Sequence, residues 1–344
     1  MRVAFYHRKP VPGSSYSIEG YFAGVRAHLP KDISSTVVVS PLTSRGVARR
    51  LVNVFDAPLH QADVNHITGD IHYACYLTHK KKTVLTIHDC ATLHRLKGLS
   101  RSMFKLGWYT LPLRRVSAVT VVSEATKRDL LEQVKCDPSL IRVIPVFVSD
   151  VFRFEANREE HLKPRILQIG TAENKNLLRV AEALRGVPCH LRIIGRLNVP
   201  QRTALERFGV EHSQCSALSP GEVFGEYARC DAVLFASTFE GFGMPIIEAN
   251  VVGRPVICGN VTSMPEVARD AACLVDPTDV ASIRAGVLRV LGQSSYREHL
   301  VERGLVNSRR FSATTIALQY ASLYREIQER TTMPTTPERA APRC

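Results

Sequence analysis

The stretch that decides the fold is residues 237–257, STFEGFGMPIIEANVVGRPVI. An apolar run, DAVLFAS (231–237), precedes it, and a second, PVICGN (255–260), follows. Between them, Pro245 suits the first turn of a helix, where its missing N–H leaves no hydrogen bond unmade, and Gly253 suits the residue just past the helix end. The segment therefore reads strand, loop, helix, strand. The loop TFEGFG sits at the C-terminal end of its strand. Gly241 and Gly243 allow a ligand close to the backbone. Amides of the loop and of the first helical turn converge on the positive end of the helix, a place suited to hydroxyls or phosphates. Glu240 precedes the loop and Glu248 lies about one turn into the helix. A carboxylate at 248 can accept from vicinal hydroxyls such as those of a ribose, while Glu240 can reach another group of the same ligand.

Outward from this unit the same alternation recurs. RILQIG (165–170) and CHLRIIGR (189–196) read as strands, and NKNLLRVAEALRG (174–186) and GEVFGEYARC (221–230) as helices. Leu177, Val180, Ala181 and Leu184 share one helix face. The N-terminal half carries strands at RVAFYH (2–7), STVVVS (35–40), VNHIT (64–68), KTVLTIHD (82–89), AVTVVS (118–123) and IRVIPV (141–146). Helices fall between them, among them SIEGYFAGVRAHL (17–29) and SEATKRDLLEQV (123–134), the latter opened by Ser123 as N-cap. Apolar strands alternating with helices predict parallel sheets covered on both faces. The chain is expected to form two doubly wound α/β domains, residues 1–155 and 156–330, joined near VSDVFRFEANREEHLKP (148–164). The ligand crevice is expected between them, at the C-terminal ends of strands. The Pro/Thr-rich tail 331–344 is expected to be disordered.

The 237–279 segment as a whole resembles the donor-site signature of retaining GT-B glycosyltransferases of sequence family four. It has two glutamates with Gly-Phe-Gly between them and Ser-Met-Pro-Glu-Val downstream at 263–267. ILQIGTAENKNLLRVAEAL (166–184), LTIHDCATLHRLKG (85–98), VVSEATKRDL (121–130) and IRVIPVFVS (141–149) also resemble the family, and the similarity is weakest over residues 35–60. The resemblance implies a GT-B fold, with two Rossmann-like domains facing a deep crevice and the final helix packing back toward the N-terminal domain. It implies a nucleotide-diphosphate sugar, UDP- or GDP-linked, as donor substrate and no cofactor. Glu240 is placed beside the donor sugar, Glu248 at the ribose, Lys175 on the diphosphate and His88 at the edge of the sugar. Phe242 and Gly243, with Gly241 and Met244 beside them, are placed as backbone donors. Gly170 and Thr171 form the strand-end turn, and Gly13 belongs to the N-terminal turn facing the diphosphate. Many relatives carry arginine where this chain has Thr171, so Arg196 becomes the candidate second cation. The N-terminal loop RKPVPGSS (8–15) also departs from the Gly-Gly form of many relatives.

Lys175 and the loop amides are expected to neutralise the leaving diphosphate without a metal. His72, His79 and His94 show no metal-ligand spacing. Asp89 reads as a cap or a structural hydrogen-bond partner. An acceptor hydroxyl would attack on the face the leaving group departs from, with retention. A GT-B sugar-nucleotide epimerase would share the same crevice and phosphate site, and donor consumption without an acceptor would distinguish it.

The chain has a formal net charge of +13. Residues 1–150 hold 21 Lys/Arg against 11 Asp/Glu, net +10, and residues 151–344 hold 24 against 21, net +3. Such a basic half points to an anionic partner. A basic nucleic-acid module is the reading of another class, but no nucleic-acid motif accompanies the charge. Between Asp89 and Glu124 there is no acid, while Arg95, Lys97, Arg101, Lys105, Arg114 and Arg115 alternate with apolar residues and the single tryptophan, Trp108. Read as one helix from Ser100, this is either a segment suited to an anionic membrane surface or a core helix of the N-terminal domain with solvated basic edges. A saccharide or lipid-linked acceptor at the inner face of the plasma membrane follows as the expected partner. The nine cysteines form no C-x-x-C pair, and no signal-peptide h-region is evident, so a cytoplasmic location is expected.

Overall fold

The computed structural model describes residues 1–10, 17–156 and 161–332. Gly13 lies outside these residues, as does the expected tail from residue 333 onward; residues 331 and 332 close the last helix. The described residues form two parallel six-stranded sheets. The first contains β1 (Arg2–His7), β2 (Ser34–Val39), β3 (Val64–Ile67), β4 (Thr83–Ile87), β5 (Ala118–Val121) and β6 (Ile141–Val143), in the order β2-β1-β3-β4-β5-β6. The second contains β7 (Arg165–Ile169), β8 (His190–Ile194), β9 (His212–Cys215), β10 (Ala232–Phe235), β11 (Val256–Gly259) and β12 (Cys273–Val275), in the order β12-β11-β10-β7-β8-β9.

Burial explains why the central strands were legible. β3, β4, β5, β10 and β11 are buried at every position, so none alternates between buried and exposed residues, and all but β3, Val-Asn-His-Ile, are mostly apolar. The edge strands β9 and β12 escaped the sequence reading. β9 is HSQC, short and polar, and β12 has only three residues. An edge strand has one neighbour and tolerates polar residues. The order in the second sheet reverses between β7 and β10, and the loops leaving those two strands splay apart there to form a crevice.

Two helices differ from the sequence reading. The helix expected over 174–186 is split. Glu173–Lys175 forms a 3-10 turn, Asn176 is left-handed at φ 60°, and the α-helix runs only over Leu177–Ala183. Asparagine tolerates that conformation, and the Asn176 amide fixes it by donating to Ala236 O at 3.0 Å and Pro277 O at 2.6 Å. Lys175 thus ends a tight turn and is not in the first turn of an α-helix.

The basic segment is also not one amphipathic helix. An α-helix over Gly98–Lys105 gives way to a π-helical turn at Leu106–Thr110 and a final turn at Leu111–Leu113. The π turn rotates the aromatics inward. Tyr109 is buried, and Trp108 packs against Phe104, Tyr73 and His72. Arg101 donates inward to Leu93 O and Gln133 Oε1, and Arg115 to Thr78 O.

The last helix, Ala313–Thr332, packs back on the first sheet. Its Tyr324 hydroxyl lies 2.7 Å from His66 Nδ1, and Tyr21 donates to the Tyr320 hydroxyl at 3.4 Å. Arg325 pairs with Asp32 at the surface, 2.8 Å apart. No helix of the described residues is long and apolar enough to cross a membrane.

Candidate active site

The reversal point of the second sheet brings two loops together. The β7 loop supplies Gly170, Thr171 and Lys175, and the β10 loop supplies Glu240 through Gly243. Gly170 has φ +85°, and a Cβ there would lie 3.1 Å from Lys175 Cγ and Cε. Its lack of a side chain lets the lysine stem fold over the strand end. Lys175 Nζ meets Glu240 Oε1 at 2.6 Å, with 18% and 14% of the two side chains exposed, and Nζ also lies 4.6 Å from the centre of the Phe235 ring. Asn174 Nδ2 donates to the same Glu240 oxygen at 3.2 Å and to Phe239 O at 2.9 Å.

Glu240, Gly241, Phe242 and Gly243 lead directly into the helix Met244–Val252. Gly243 is left-handed at φ 106° and no side chain caps the helix. Its first turn therefore presents backbone donors to the adjoining cavity, about 340 Å³, which Gly241, Gly243, Met244 and Lys175 line. The Phe242 side chain turns away, buried edge-on against Phe311, so this residue can offer the cavity only its backbone.

Across the crevice, His88 stands at the end of β4 and lines the same cavity. Its Nε2 donates to Thr68 O at 2.9 Å, which leaves Nδ1 as the acceptor nitrogen. Asp89 accepts from Ala91 N at 2.8 Å, so of its two expected roles it takes that of a structural hydrogen-bond partner; Cys90 holds the N-cap position of the helix Ala91–Arg95. A second cavity, about 520 Å³, opens on the N-terminal side and shares Asp89, Glu240 and Gly241 with the first. Arg50, Arg95, Asp70 and Trp108 also line it. Glu240 therefore borders both spaces.

Glu248 sits one turn into the helix, and Tyr227 donates its hydroxyl to Oε2 at 2.6 Å. Burial pushes the Glu248 carboxyl from its ordinary 4.5 up to about 7, against the opposing pull of the Tyr227 hydrogen bond and the Lys175 charge. The sign of the consequence follows. Between the ordinary and the raised value the folded protein keeps a proton that the unfolded chain has lost. Stability attributable to this group therefore falls as pH rises through that window, and the full penalty is present above it. Glu248→Gln, which keeps an acceptor for Tyr227, should melt near the wild type at about pH 5 and above it at about pH 8. A melting difference that stays constant across pH would refute the shift.

Thr171 and Arg196 do not join the pair. Thr171 donates its hydroxyl to the Arg196 carbonyl at 2.9 Å, and the Arg196 side chain is exposed. Among the described residues, no group of three or more His, Cys, Asp or Glu is placed to hold a metal ion.

Two parallel six-stranded Rossmann-like sheets with a long C-terminal helix form the GT-B fold of glycosyltransferases. The family assignment agrees. Residues 152–305 match the family "Glycosyl transferases group 1", and residues 19–150 match "Glycosyltransferase Family 4". The chain belongs to this glycosyltransferase family. It is 42% identical over 99 residues to the O-antigen chain mannosyltransferase B of Escherichia coli, covering 29% of this chain and 26% of that protein. It is 27% identical over 226 residues to the MMP alpha-(1->4)-mannosyltransferase of Mycolicibacterium hassiacum, covering 61% and 54%. The matches thus span about a quarter and about half of those relatives. Among solved structures, sucrose-phosphate synthase from Thermosynechococcus elongatus superposes with a TM-score of 0.80 at 16% identity, covering 96% of this chain and 99% of that one. Anabaena HepE in complex with UDP-glucose superposes at 0.74 and 15% identity, covering 95% and 100%.

Several residues at the site were not singled out for it from the sequence. Asn174 stands next to Lys175 but has no motif of its own. Tyr227 lies 21 positions from Glu248, and only the sheet order brings them together. Ser263 and Glu266 lie in the quoted Ser-Met-Pro-Glu-Val, where a structural hydroxyl and carboxylate were the available signal.

Proposed function

We propose that this chain transfers a hexose, with retention and without a metal, from a nucleotide-diphosphate sugar to a hydroxyl of a saccharide or lipid-linked acceptor in cell-surface polysaccharide assembly. The observation that carries the reading is Glu240, paired with Lys175 and bordering both cavities. Residues 156–330 hold the donor, and residues 1–155 the acceptor. The ribose lies toward Glu248, the diphosphate toward Lys175 and the first turn of the helix Met244–Val252, and the sugar between Glu240 and His88.

Breaking the anomeric bond places negative charge on the diphosphate. Lys175 and the backbone donors are already arranged there and need no reorganisation as that charge develops. The attacking hydroxyl enters from the N-terminal cavity, and its proton passes to the departing phosphate oxygen. A second cavity on the far side of Glu240 favours transfer to an acceptor over epimerisation. The two relatives named as mannosyltransferases support mannose as the sugar, and of the two carriers expected, UDP and GDP, GDP is the one proposed.

The protein is proposed to work at the cytoplasmic face of the membrane. The apolar contact, however, is moved from Trp108 to the helix Val47–Asp56 and the turn after it. Val47, Leu51, Phe55 and Leu59 recur every fourth residue there and are exposed.

The deciding experiment is a panel of GDP- and UDP-sugars, measured by calorimetry for binding and by release of nucleoside diphosphate for turnover. GDP-mannose is expected to bind and to be turned over faster when a mannose-terminated oligosaccharide is added, in the presence of EDTA. No binding of any nucleotide sugar would sink the reading. Loss of activity on chelation, restored by manganese or magnesium, would overturn the metal-independent part.

A further inference from the structure

Among the described residues, two side-chain hydrogen bonds from the N-terminal half converge on one atom of the donor loop, the carbonyl oxygen of Gly241. Ser123 Oγ donates to it at 2.6 Å, and Thr126 Oγ1 at 3.0 Å. Each hydroxyl has one proton and the carbonyl has two lone pairs, so it can accept from both; Ser123 Oγ and Thr126 Oγ1 also lie 2.9 Å apart, within hydrogen-bond distance of each other. Ser123 also caps its own helix, Glu124–Gln133, by accepting from Thr126 N at 3.0 Å. Both residues are buried.

The contact is reciprocal. Glu266, from the C-terminal half, accepts from Glu124 N at 2.8 Å and from Ala125 N at 3.0 Å. These are the first amides of the same helix, which lie beyond the reach of its own carbonyls. Gly241 packs so closely on β4 that a Cβ there would stand 2.2 Å from His88 O. On its other side the loop is held by its own half. Thr262 Oγ1 accepts from Glu240 N at 3.2 Å, and Ser263 Oγ lies within 3.0 Å of the Glu240 and Phe242 carbonyls. The C-terminal half alone therefore fixes part of the loop that carries Glu240. The rest of its constraint comes from the other half of the chain.

We infer that Ser123 and Thr126 are positioning residues that complete the donor loop only when the two halves are closed, with Glu266 locking the same helix in place. This rests on the glycosyl-transfer reading above. Closure then does more than exclude water: it sets the Gly241 peptide, and with it the orientation of the neighbouring Glu240 carboxylate and Phe242 amide. A donor can bind to an open C-terminal half, and the chemistry proceeds only after the hydroxyls engage.

Thr126→Val is the discriminating variant, because it removes one hydroxyl, preserves the shape and leaves the Ser123 cap intact. Ser123→Ala removes the other hydroxyl together with the cap, and Thr126→Ser keeps the hydroxyl. In full-length protein, Thr126→Val is expected to lower kcat for mannosyl transfer from GDP-mannose about tenfold, with the Kd for GDP within about threefold of the wild type. Thr126→Ser should behave as the wild type. Hydrogen exchange of the peptide covering residues 238–244 should be faster in Thr126→Val and unchanged in Thr126→Ser. Unchanged exchange and kcat in Thr126→Val would overturn the inference. So would a parallel loss of kcat, GDP affinity and melting temperature in that variant, which marks a purely structural role. If wild-type protein neither binds nor turns over GDP-mannose, the transferase reading fails, and the exchange comparison still decides whether the hydroxyls hold the loop.

Discussion

Lys175→Ala is expected to weaken binding of GDP and GDP-mannose by roughly ten- to a hundredfold, the loss of one charge-assisted contact of about 1.5–3 kcal/mol. The ammonium lies at the crevice floor, largely shielded and already paired with Glu240. A diphosphate arriving there meets a cation whose stem is fixed against Gly170 and whose charge rests on Phe235. Alanine also strips Glu240 of its partner, leaving the Asn174 amide at 3.2 Å as its remaining side-chain donor. Some loss of stability should therefore accompany the loss of affinity, and melting temperatures must be measured beside the calorimetry. Glu240→Gln separates the two roles. It keeps an acceptor oxygen for Lys175 and Asn174, so GDP should bind within a few-fold of wild type while transfer falls sharply. Unchanged GDP affinity in Lys175→Ala would remove the lysine from the diphosphate site.

The legibility of this site varied with the source of each constraint. Glu240 and Glu248 could be placed after the end of β10 from the composition of that buried strand, while the donor-site roles proposed for them and for Lys175 come from the family resemblance. What the sequence did not disclose depends on distant partners. The left-handed turn at Asn176 is stabilised by carbonyls of Ala236 and Pro277, residues 60 and 101 positions away. The raised carboxyl of Glu248 depends on burial that no local pattern reports. Ser123 was legible as a cap, but its second bond, to Gly241, spans 118 positions. The error over residues 98–113 has a different origin. Helical periodicity assumes a constant turn, and the π turn at Leu106–Thr110 shifts every later side chain around the axis. Trp108 and Tyr109, expected on a membrane-facing surface, are thereby carried into the protein.

Removing the apolar stripe of the helix Val47–Asp56 and its following turn is expected to abolish binding to anionic vesicles. Val47, Leu51, Phe55 and Leu59 are 72%, 51%, 66% and 77% exposed; the first three form an i, i+4 row on the helix, and Leu59 follows in the 3-10 turn Ala57–His60. Leu99, Met103 and Leu106 form a second exposed apolar group. Arg50, from the first helix, lies 4.8 Å over the Trp108 ring, so the two segments meet at the mouth of the N-terminal cavity. The surrounding charge fits a negative surface. Between Asp32 and Asp63 the only acid is Asp56, while Arg45, Arg49 and Arg50 are basic, and Lys97 and Lys105 flank the second group. A basic helix with an uncovered apolar face has the composition of one that lies in a bilayer interface. Each fully inserted apolar side chain would contribute about 1.5–3 kcal/mol, and each basic residue near the surface about 1 kcal/mol. Flotation with vesicles containing phosphatidylglycerol should recover the wild type at low salt. Added salt should weaken that binding without eliminating it, because screening acts only on the charges. The triple change Leu51→Ser, Phe55→Ser, Leu59→Ser should lower binding by more than about a thousandfold, the combined loss of three insertions. Arg101→Gln and Arg115→Gln should leave it unchanged, because those guanidinium groups are engaged inside the protein. Self-association of the wild type, lost in the serine variant, would assign the face to a second copy of the chain. If the wild type ignores anionic vesicles even at low salt, the acceptor is a saccharide met in solution, and the cavity beside Glu240 receives it without a membrane.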